Sequence, residues 1–147
     1  MKRPNIYFKD APSGYTLCIN NQCPKSSDCI RYQAYLTLPK NEKTIRVVSP
    51  SYAETNTESC AFHRPVQFKT LAYDFSKNFN NMTKIQEFSF RASGIQKFGR
   101  SEYYRLRGGE KGITPEGQEF LLNLAKQVGF ETTSDQFFDR FTDVIDW

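Results

Sequence analysis

The chain has 147 residues, a length that predicts a single domain large enough to bury its own core. Aromatic residues make up 15% of the sequence, and charged residues are spread along it, which argues against bulk disorder. No run of about 18 apolar residues occurs, and the N-terminus lacks the apolar stretch of a signal peptide. We therefore expect a cytoplasmic protein without membrane association.

The net charge of +4 is distributed unevenly along the chain. Residues 84–111 carry a net charge of +4, whereas residues 112–147 carry −5. A basic centre of this kind is typical of a surface that binds polyanions. The other interpretation is that the basic and acidic segments pair with each other in the fold.

In the first half of the chain, residues 1–82, the pattern predicts short strands. Alternating, β-branched and aromatic residues place these strands at residues 15–20, 44–48 and 66–75. A short helix is expected within residues 26–36. The polar, turn-rich stretch 49–59 is expected to form a long loop.

The second half, residues 83–147, predicts helices. Thr83 is placed to cap the first of them, which is expected to end at Gly99. Its apolar face, at roughly helical spacing, consists of Ile85, Phe88, Ala92 and Ile95. Residues 101–106 predict a short second helix.

Thr114 and Pro115 form the clearest helix start in the chain, because Thr is a favoured N-cap and Pro is favoured at the first helical position. The helix is expected to end at Gly129. Its apolar stripe consists of Phe120, Leu121, Leu124, Ala125 and Val128. A last helix is predicted near residues 134–144.

Four cysteines in the first 60 residues are the strongest chemical signal. Three of them form a C-x4-C-x5-C run, and the fourth stands three residues before His63, the only histidine. Clustered thiolates are typical ligands of a soft tetrahedral metal, and disulfides are rare in the cytoplasm. We predict a structural zinc site formed by Cys18, Cys23, Cys29 and Cys60.

Other interpretations of the cysteines stay open. His63 is an alternative ligand, because five donors compete for four positions. An iron–sulfur cluster held by the same four thiolates is a second alternative, since the cysteine spacings of such clusters vary widely. Buried free thiols and disulfides are the remaining alternatives.

Residues 98–112, with the sequence FGRSEYYRLRGGEKG, interleave basic and aromatic side chains. Nucleic-acid sites combine cations that contact phosphate with aromatic rings on which bases stack. The candidate nucleic-acid-binding residues are Arg100, Tyr103, Tyr104, Arg105, Arg107 and Lys111. In the other interpretation, the tyrosines pack in the core and the cations pair with Glu102, Glu110 or the acidic tail.

Several motifs follow one another in a distinctive order. The C-x4-C-x5-C run is followed by Ile30-Arg31-Tyr32, and later by FGR…YYRLRGGEK, ITPEGQ and the terminal Trp147. In this order, over nearly the whole chain, they resemble an uncharacterised bacterial domain family associated with gut anaerobes. That family has no assigned activity, so the resemblance implies a full-length single domain and no functional residues. An anaerobic host favours the iron–sulfur alternative.

Together these patterns predict a single α+β domain over residues 1–147, with short strands around a Cys-rich metal site and a helical second half. The predicted function is a small metal-stabilised binding module with nucleic acid as its partner. The alternatives are a protein–protein interaction adaptor that does not bind nucleic acid, and an iron–sulfur protein or unrecognised enzyme. Phosphate-loop, dinucleotide, zinc-protease and serine-hydrolase motifs are absent, so no catalytic residue is assigned.

Overall fold

A computed structural model describes residues 5–147 and divides the chain into two compact units. The first unit comprises the described residues up to Phe68 together with Ile145–Trp147, and the second comprises Lys69–Val144. The division therefore lies at residue 68, whereas the sequence pattern placed the change between halves at residue 82. That the whole chain acts as a single domain stays a prediction.

The first unit contains two short helices and almost no strand. Helices α1 (Ile30–Tyr35) and α2 (Pro50–Thr55) accompany short 3-10 turns at Phe8–Asp10 and Ser26–Asp28. The strands predicted at residues 15–20 and 44–48 do not form. Instead, a single parallel bridge joins Leu17 to Val47. Two backbone hydrogen bonds support this bridge: the Leu17 N–H donates to the Arg46 carbonyl, and the Val48 N–H donates to the Leu17 carbonyl.

Helix α2 replaces the long loop that was predicted over residues 49–59. Pro50 occupies its first turn, where a missing N–H has no cost because that group would have no partner inside the helix. Only Ala53 of this helix is buried. With one buried residue and six residues in all, the helix has no apolar stripe that a sequence pattern could reveal.

The last three residues of the chain belong to the first unit. The Trp147 ring packs edge-on against Tyr15, with ring centroids 5.2 Å apart. Arg64 Nη2 donates to the Trp147 carbonyl at 2.5 Å, and the Asp146 N–H donates to the Gln67 carbonyl at 2.9 Å. These contacts attach the C-terminal residues to the segment that follows His63.

Strands β1 (Phe68–Tyr73) and β2 (Arg140–Ile145) form a two-stranded sheet. The Thr70 hydroxyl bonds the Asp143 carboxylate at 2.6 Å, and position 67 pairs with position 146. Because one residue number rises as its partner's falls, the pair is antiparallel. The strand predicted at 66–75 is confirmed as β1, but the helix predicted near 134–144 is wrong beyond its first turn.

Four helices complete the second unit after a 3-10 turn at Ser76–Asn81. They are α3 (Lys84–Phe98), α4 (Arg100–Arg107), α5 (Pro115–Gln127) and α6 (Ser134–Phe137). The predicted starts of α3 and α5 are confirmed. Thr83 and Gln86 form a reciprocal capping box, and Thr114 caps α5 through the Gly117 N–H. The mixture of helices and strands confirms the α+β class.

Of the predicted apolar face of α3, only Ile95 packs against the core, and the prediction is wrong for Ile85, Phe88 and Ala92. Ile85 is 80% exposed and Phe88 is 64% exposed, whereas Phe90 and Gly94 are buried. Phe90 joins an aromatic cluster in which Phe75 and Phe137 stack at 5.6 Å between ring centroids. Such aromatic pairs supply large buried area together with directional ring contacts.

Within the described part of the chain, every helix is too short or too polar to cross a lipid bilayer.

Candidate metal centre

The five metal-ligand candidates all line one small cavity in the first unit. Its volume is about 20 Å³, which leaves room for roughly one water molecule. The structure therefore brings together residues that span positions 18 to 63 of the chain. The cavity wall contains Cys18, Cys23, Cys29, Cys60 and His63, joined by Asn20, Lys25, Ser26, Arg31, Tyr32, Val48, Ala53 and Phe62.

Backbone hydrogen bonds hold Cys18 and Cys29 beside each other. The Cys18 N–H donates to the Arg31 carbonyl at 3.3 Å, which ties the first cysteine to the start of α1. Cys29 forms an antiparallel bridge with Pro65, supported by the Ile30 N–H donating to Arg64 at 2.9 Å. These bonds join the segments that contain Cys18, Cys29 and Pro65 at the cavity, although the three segments do not form a sheet.

Cys23 and Cys60 come from tight turns. The Ser26 N–H donates to the Cys23 carbonyl at 3.0 Å, and the His63 N–H donates to the Cys60 carbonyl at 3.2 Å. Both are four-residue turns, each closed by a bond from its fourth residue to its cysteine, and both cysteines line the cavity. The spacing from Cys60 to His63 thus corresponds to one closed turn.

All four cysteines are free thiols, with Cys29 buried and the other three half-buried. Burial raises the pKa of the Cys18 thiol, and the neighbouring Cys29, Cys23 and Cys60 raise it further. A hydrogen bond from the Asn20 backbone N–H acts in the opposite direction. The thiols are close enough to oppose each other's ionisation, so a set of thiolates here requires a cation to offset the charge.

The imidazole Nε2 of His63 is shielded from solvent and has no hydrogen-bond partner among residues 5–147. Asp28 Oδ2 lies 4.0 Å from it, which is beyond hydrogen-bonding distance. A buried ring nitrogen without a partner is costly. In the cavity wall it lies among the four thiols, which are among the groups that could satisfy it.

As the side chains are placed, no set of three or more His, Cys, Asp or Glu residues in the described chain stands in metal-ligand geometry. The thiols share a cavity but do not converge on one point. The donor types nevertheless fit a soft metal, because four thiols and an imidazole are the ligands that zinc takes in structural sites.

Two cations that were not among the predicted site residues, Lys25 and Arg31, also line the cavity. Lys25 Nζ donates to the Glu58 carbonyl at 2.6 Å. Arg31 donates to the carbonyls of Thr16 and Phe62, at 2.6 and 2.9 Å. A signal for both was present, because each cation stands two residues after a cysteine, in Cys-Pro-Lys and Cys-Ile-Arg.

The basic–aromatic residues are dispersed in the second unit. Tyr103 is fully buried in the core, so its prediction as a base-stacking residue is wrong. Its hydroxyl faces no partner in the described structure. Tyr104, in contrast, is 39% exposed, and Arg100 is exposed at the start of α4.

The remaining cations of this segment have partners inside the unit. Arg105 lies 3.7 Å from the Glu102 carboxylate, and Lys111 forms an ion pair with the same carboxylate. The Arg107 guanidinium lies over the Phe79 ring, 4.1 Å from its centroid. The ion pairs of Arg105 and Lys111 with Glu102 agree with the alternative interpretation, in which these cations pair with carboxylates of the fold.

A family model matches the chain from residue 1 to residue 147, and its description is "family of unknown function (DUF6078)". The chain belongs to this family. The match confirms the expectation of an uncharacterised domain family covering the full chain. No curated protein matches this DUF6078 member, and no solved structure does.

Proposed function

We propose that this DUF6078 protein is a small metal-stabilised binding module in which Cys18, Cys23, Cys29 and Cys60 hold one zinc ion. The observation that carries the proposal is that all four thiols and His63 line the same small cavity. Zinc matches these donors, and a single ion suits a volume of about 20 Å³ better than a multi-iron cluster does. The protein acts in the cytoplasm, where the thiols stay reduced.

The metal contributes to the stability of the first unit. That unit has two six-residue helices and isolated bridges in place of a sheet, so few backbone hydrogen bonds connect its segments. Because a metal site forms only in the folded chain, the free energy of binding the ion adds to the free energy of folding.

Elemental analysis of protein purified without chelators tests this proposal. We expect about one zinc per chain and a lower melting temperature after chelation. Cys29→Ser should lose the metal, whereas Ser59→Ala, at an exposed position beside Cys60, should keep it. A metal-free protein whose melting temperature is unchanged by chelators would contradict the proposal, and a brown protein containing iron would favour the cluster.

Nucleic acid is the partner that we propose for this module, through Arg100 and Tyr104. These are the exposed members of the basic–aromatic segment whose side chains are not engaged by Glu102. Binding to single-stranded nucleic acid should weaken as salt rises. Arg100→Ala should reduce both the affinity and the salt slope, whereas Arg46→Ala, an exposed cation of the first unit, should not. Binding that does not depend on salt would contradict this partner.

A protein–protein adaptor is the second candidate, and the exposed apolar residues of α3 favour it. Ile85 and Phe88 are 80% and 64% exposed on this helix. Exposed apolar side chains of this size are typical of surfaces that bind an apolar face of another protein. Association through them should persist at high salt and be lost in Phe88→Ser, whereas nucleic-acid binding would show the opposite salt dependence.

A further inference from the structure

The wall of the cavity contains two positively charged side chains, and their number bears on which residues bind the metal. Lys25 and Arg31 line the cavity, and the partners that they bond are backbone carbonyls. In residues 5–147, no carboxylate lies within ion-pair distance of either side chain. Two positive charges therefore stand at a half-buried site without an anion to offset them.

We infer that the metal centre has four thiolate ligands and two net negative charges, with Lys25 and Arg31 as its counter-charges and His63 outside the ligand set. This inference rests on the proposed function. Four thiolates around a divalent cation leave two negative charges, which equal the two cations in the wall. Three thiolates with a neutral imidazole would leave one cation without a counter-charge.

The geometry around His63 agrees with this arrangement. The Nε2 atom lies 4.0 Å from Asp28 Oδ2, a carboxylate that is not part of the cavity wall. Outside the ligand set, an Nε2–H group could donate a hydrogen bond to a thiolate in the same cavity. Together with the Asn20 N–H, which already bonds the Cys18 sulfur, His63 would reduce the negative charge on the ligands.

Arg31 has a second role in holding the cavity wall. Its guanidinium lies 4.8 Å from the centroid of the Tyr15 ring and 5.9 Å from that of Phe62. These rings and its carbonyl partners keep it in one orientation. Lys25 makes fewer contacts and is therefore the better position for changing the charge without altering the fold.

Cobalt(II) in place of zinc tests the inference, because its visible spectrum distinguishes four sulfur ligands from three sulfurs and one nitrogen. We expect a four-sulfur spectrum in the wild-type protein and the same spectrum in His63→Ala. A three-sulfur spectrum, or one that changes in His63→Ala, would overturn the inference while leaving the metal-stabilised module intact. If no cobalt binds to the reduced protein, both proposals fail.

The counter-charge is tested separately through the affinity for cobalt, measured by competition with a chelator. Lys25→Gln should weaken binding by about ten-fold, as removal of groups that support metal ligands commonly does. Lys25→Arg should restore most of the affinity, because it keeps the charge, and Lys43→Gln, at an exposed position, should have no effect. Equal affinity in Lys25→Gln and the wild type would overturn the role of Lys25.

Discussion

The ring of Tyr103 fills the space beside Gly94 where any other residue would place its side chain. A Cβ atom at position 94 would lie 2.5 Å from Cε2 and 2.7 Å from Cδ2 of this ring. Both residues are buried, and Tyr103 is fully so. Helices α3 and α4 therefore pack closely because position 94 has no side chain.

Gly94→Ala should destabilise the second unit, even though alanine is the better helix former. Overpacking of a well-packed core costs about 1–3 kcal/mol, and the ring cannot move aside within a cluster of aromatic residues. The measurement is the free energy of unfolding by denaturant. Gln96→Ala, at an exposed position of the same helix, is the control. A stability equal to that of the wild type in Gly94→Ala would contradict this packing.

Stability should fall in alkaline solution because of Tyr103. Burial raises the pKa of its phenol from 10.0 to about 12. The unfolded chain therefore loses this proton near pH 10, whereas the folded protein keeps it until about pH 12. The stabilisation is complete below pH 10 and is lost as the pH rises from 10 to 12, by about 2 kcal/mol.

Tyr103→Phe should remove this part of the pH dependence. At neutral pH the variant should be as stable as the wild type or slightly more stable, because the buried hydroxyl has no partner within residues 5–147. Denaturation curves between pH 8 and pH 12 measure the difference, with Tyr104→Phe as the control. Equal slopes for the wild type and Tyr103→Phe would show that this phenol does not control alkaline stability.

Asn78→Ala should be strongly destabilising, because Asn78 satisfies two carbonyls in the core. Its amide donates to the Phe75 carbonyl at 2.9 Å and to the Phe137 carbonyl at 2.7 Å. Asn78 is itself buried. Removal of the amide takes away the Phe137 carbonyl's donor, whereas the Phe75 carbonyl keeps the Asn78 backbone N–H at 3.3 Å. An unpaired buried acceptor costs about 1–3 kcal/mol. Thermal denaturation should show the loss in Asn78→Ala but not in Asn80→Ala, two residues away at an exposed position.

Glu102→Gln should strengthen nucleic-acid binding if the basic segment is the binding surface. Glu102 engages both Arg105 and Lys111, so its neutralisation would release two cations toward solvent. The expected result is a higher affinity for single-stranded nucleic acid and a salt slope steeper by up to about two phosphate contacts. Glu110→Gln removes the same charge at an exposed neighbouring position and is the control. Unchanged binding in Glu102→Gln would show that Arg105 and Lys111 are not part of the binding surface.

Local signals predicted the helix boundaries in the second unit. The caps at Thr83 and Thr114 act within one turn, so the sequence alone fixes where α3 and α5 begin. Ser49-Pro50 has the same form as Thr114-Pro115, and it could have revealed α2. The residues after Pro50 are mostly polar and form no apolar stripe, so the pattern favours a loop.

The elements that the sequence pattern does not predict depend on distant partners. Strand β2 pairs with β1, about 70 residues earlier in the chain, and no local pattern identifies that partner. The buried face of α3 was misread because Gly94 has no hydrophobic side chain, although Tyr103 packs there. The same contact explains why a tyrosine placed among arginines is a core residue.

In the candidate site, the residue types could be read from the sequence, and their surroundings could not. The cysteines and His63 were grouped by spacing, and the structure places them around one cavity. Lys25 and Arg31 were not predicted as site residues, because lysines and arginines are common on protein surfaces. Only the fold shows that their partners are carbonyls in the wall of that cavity.

The return of Ile145–Trp147 to the first unit has a consequence for how the protein is made. In chain order the second unit is an insertion within the first, since Lys69–Val144 lies between its two parts. A ribosome delivers the chain from the N-terminus, so the contacts of Trp147 with Tyr15 and Arg64 cannot form until residue 147 has been synthesised, after the whole of the second unit. The unit whose synthesis starts first is therefore the one completed last.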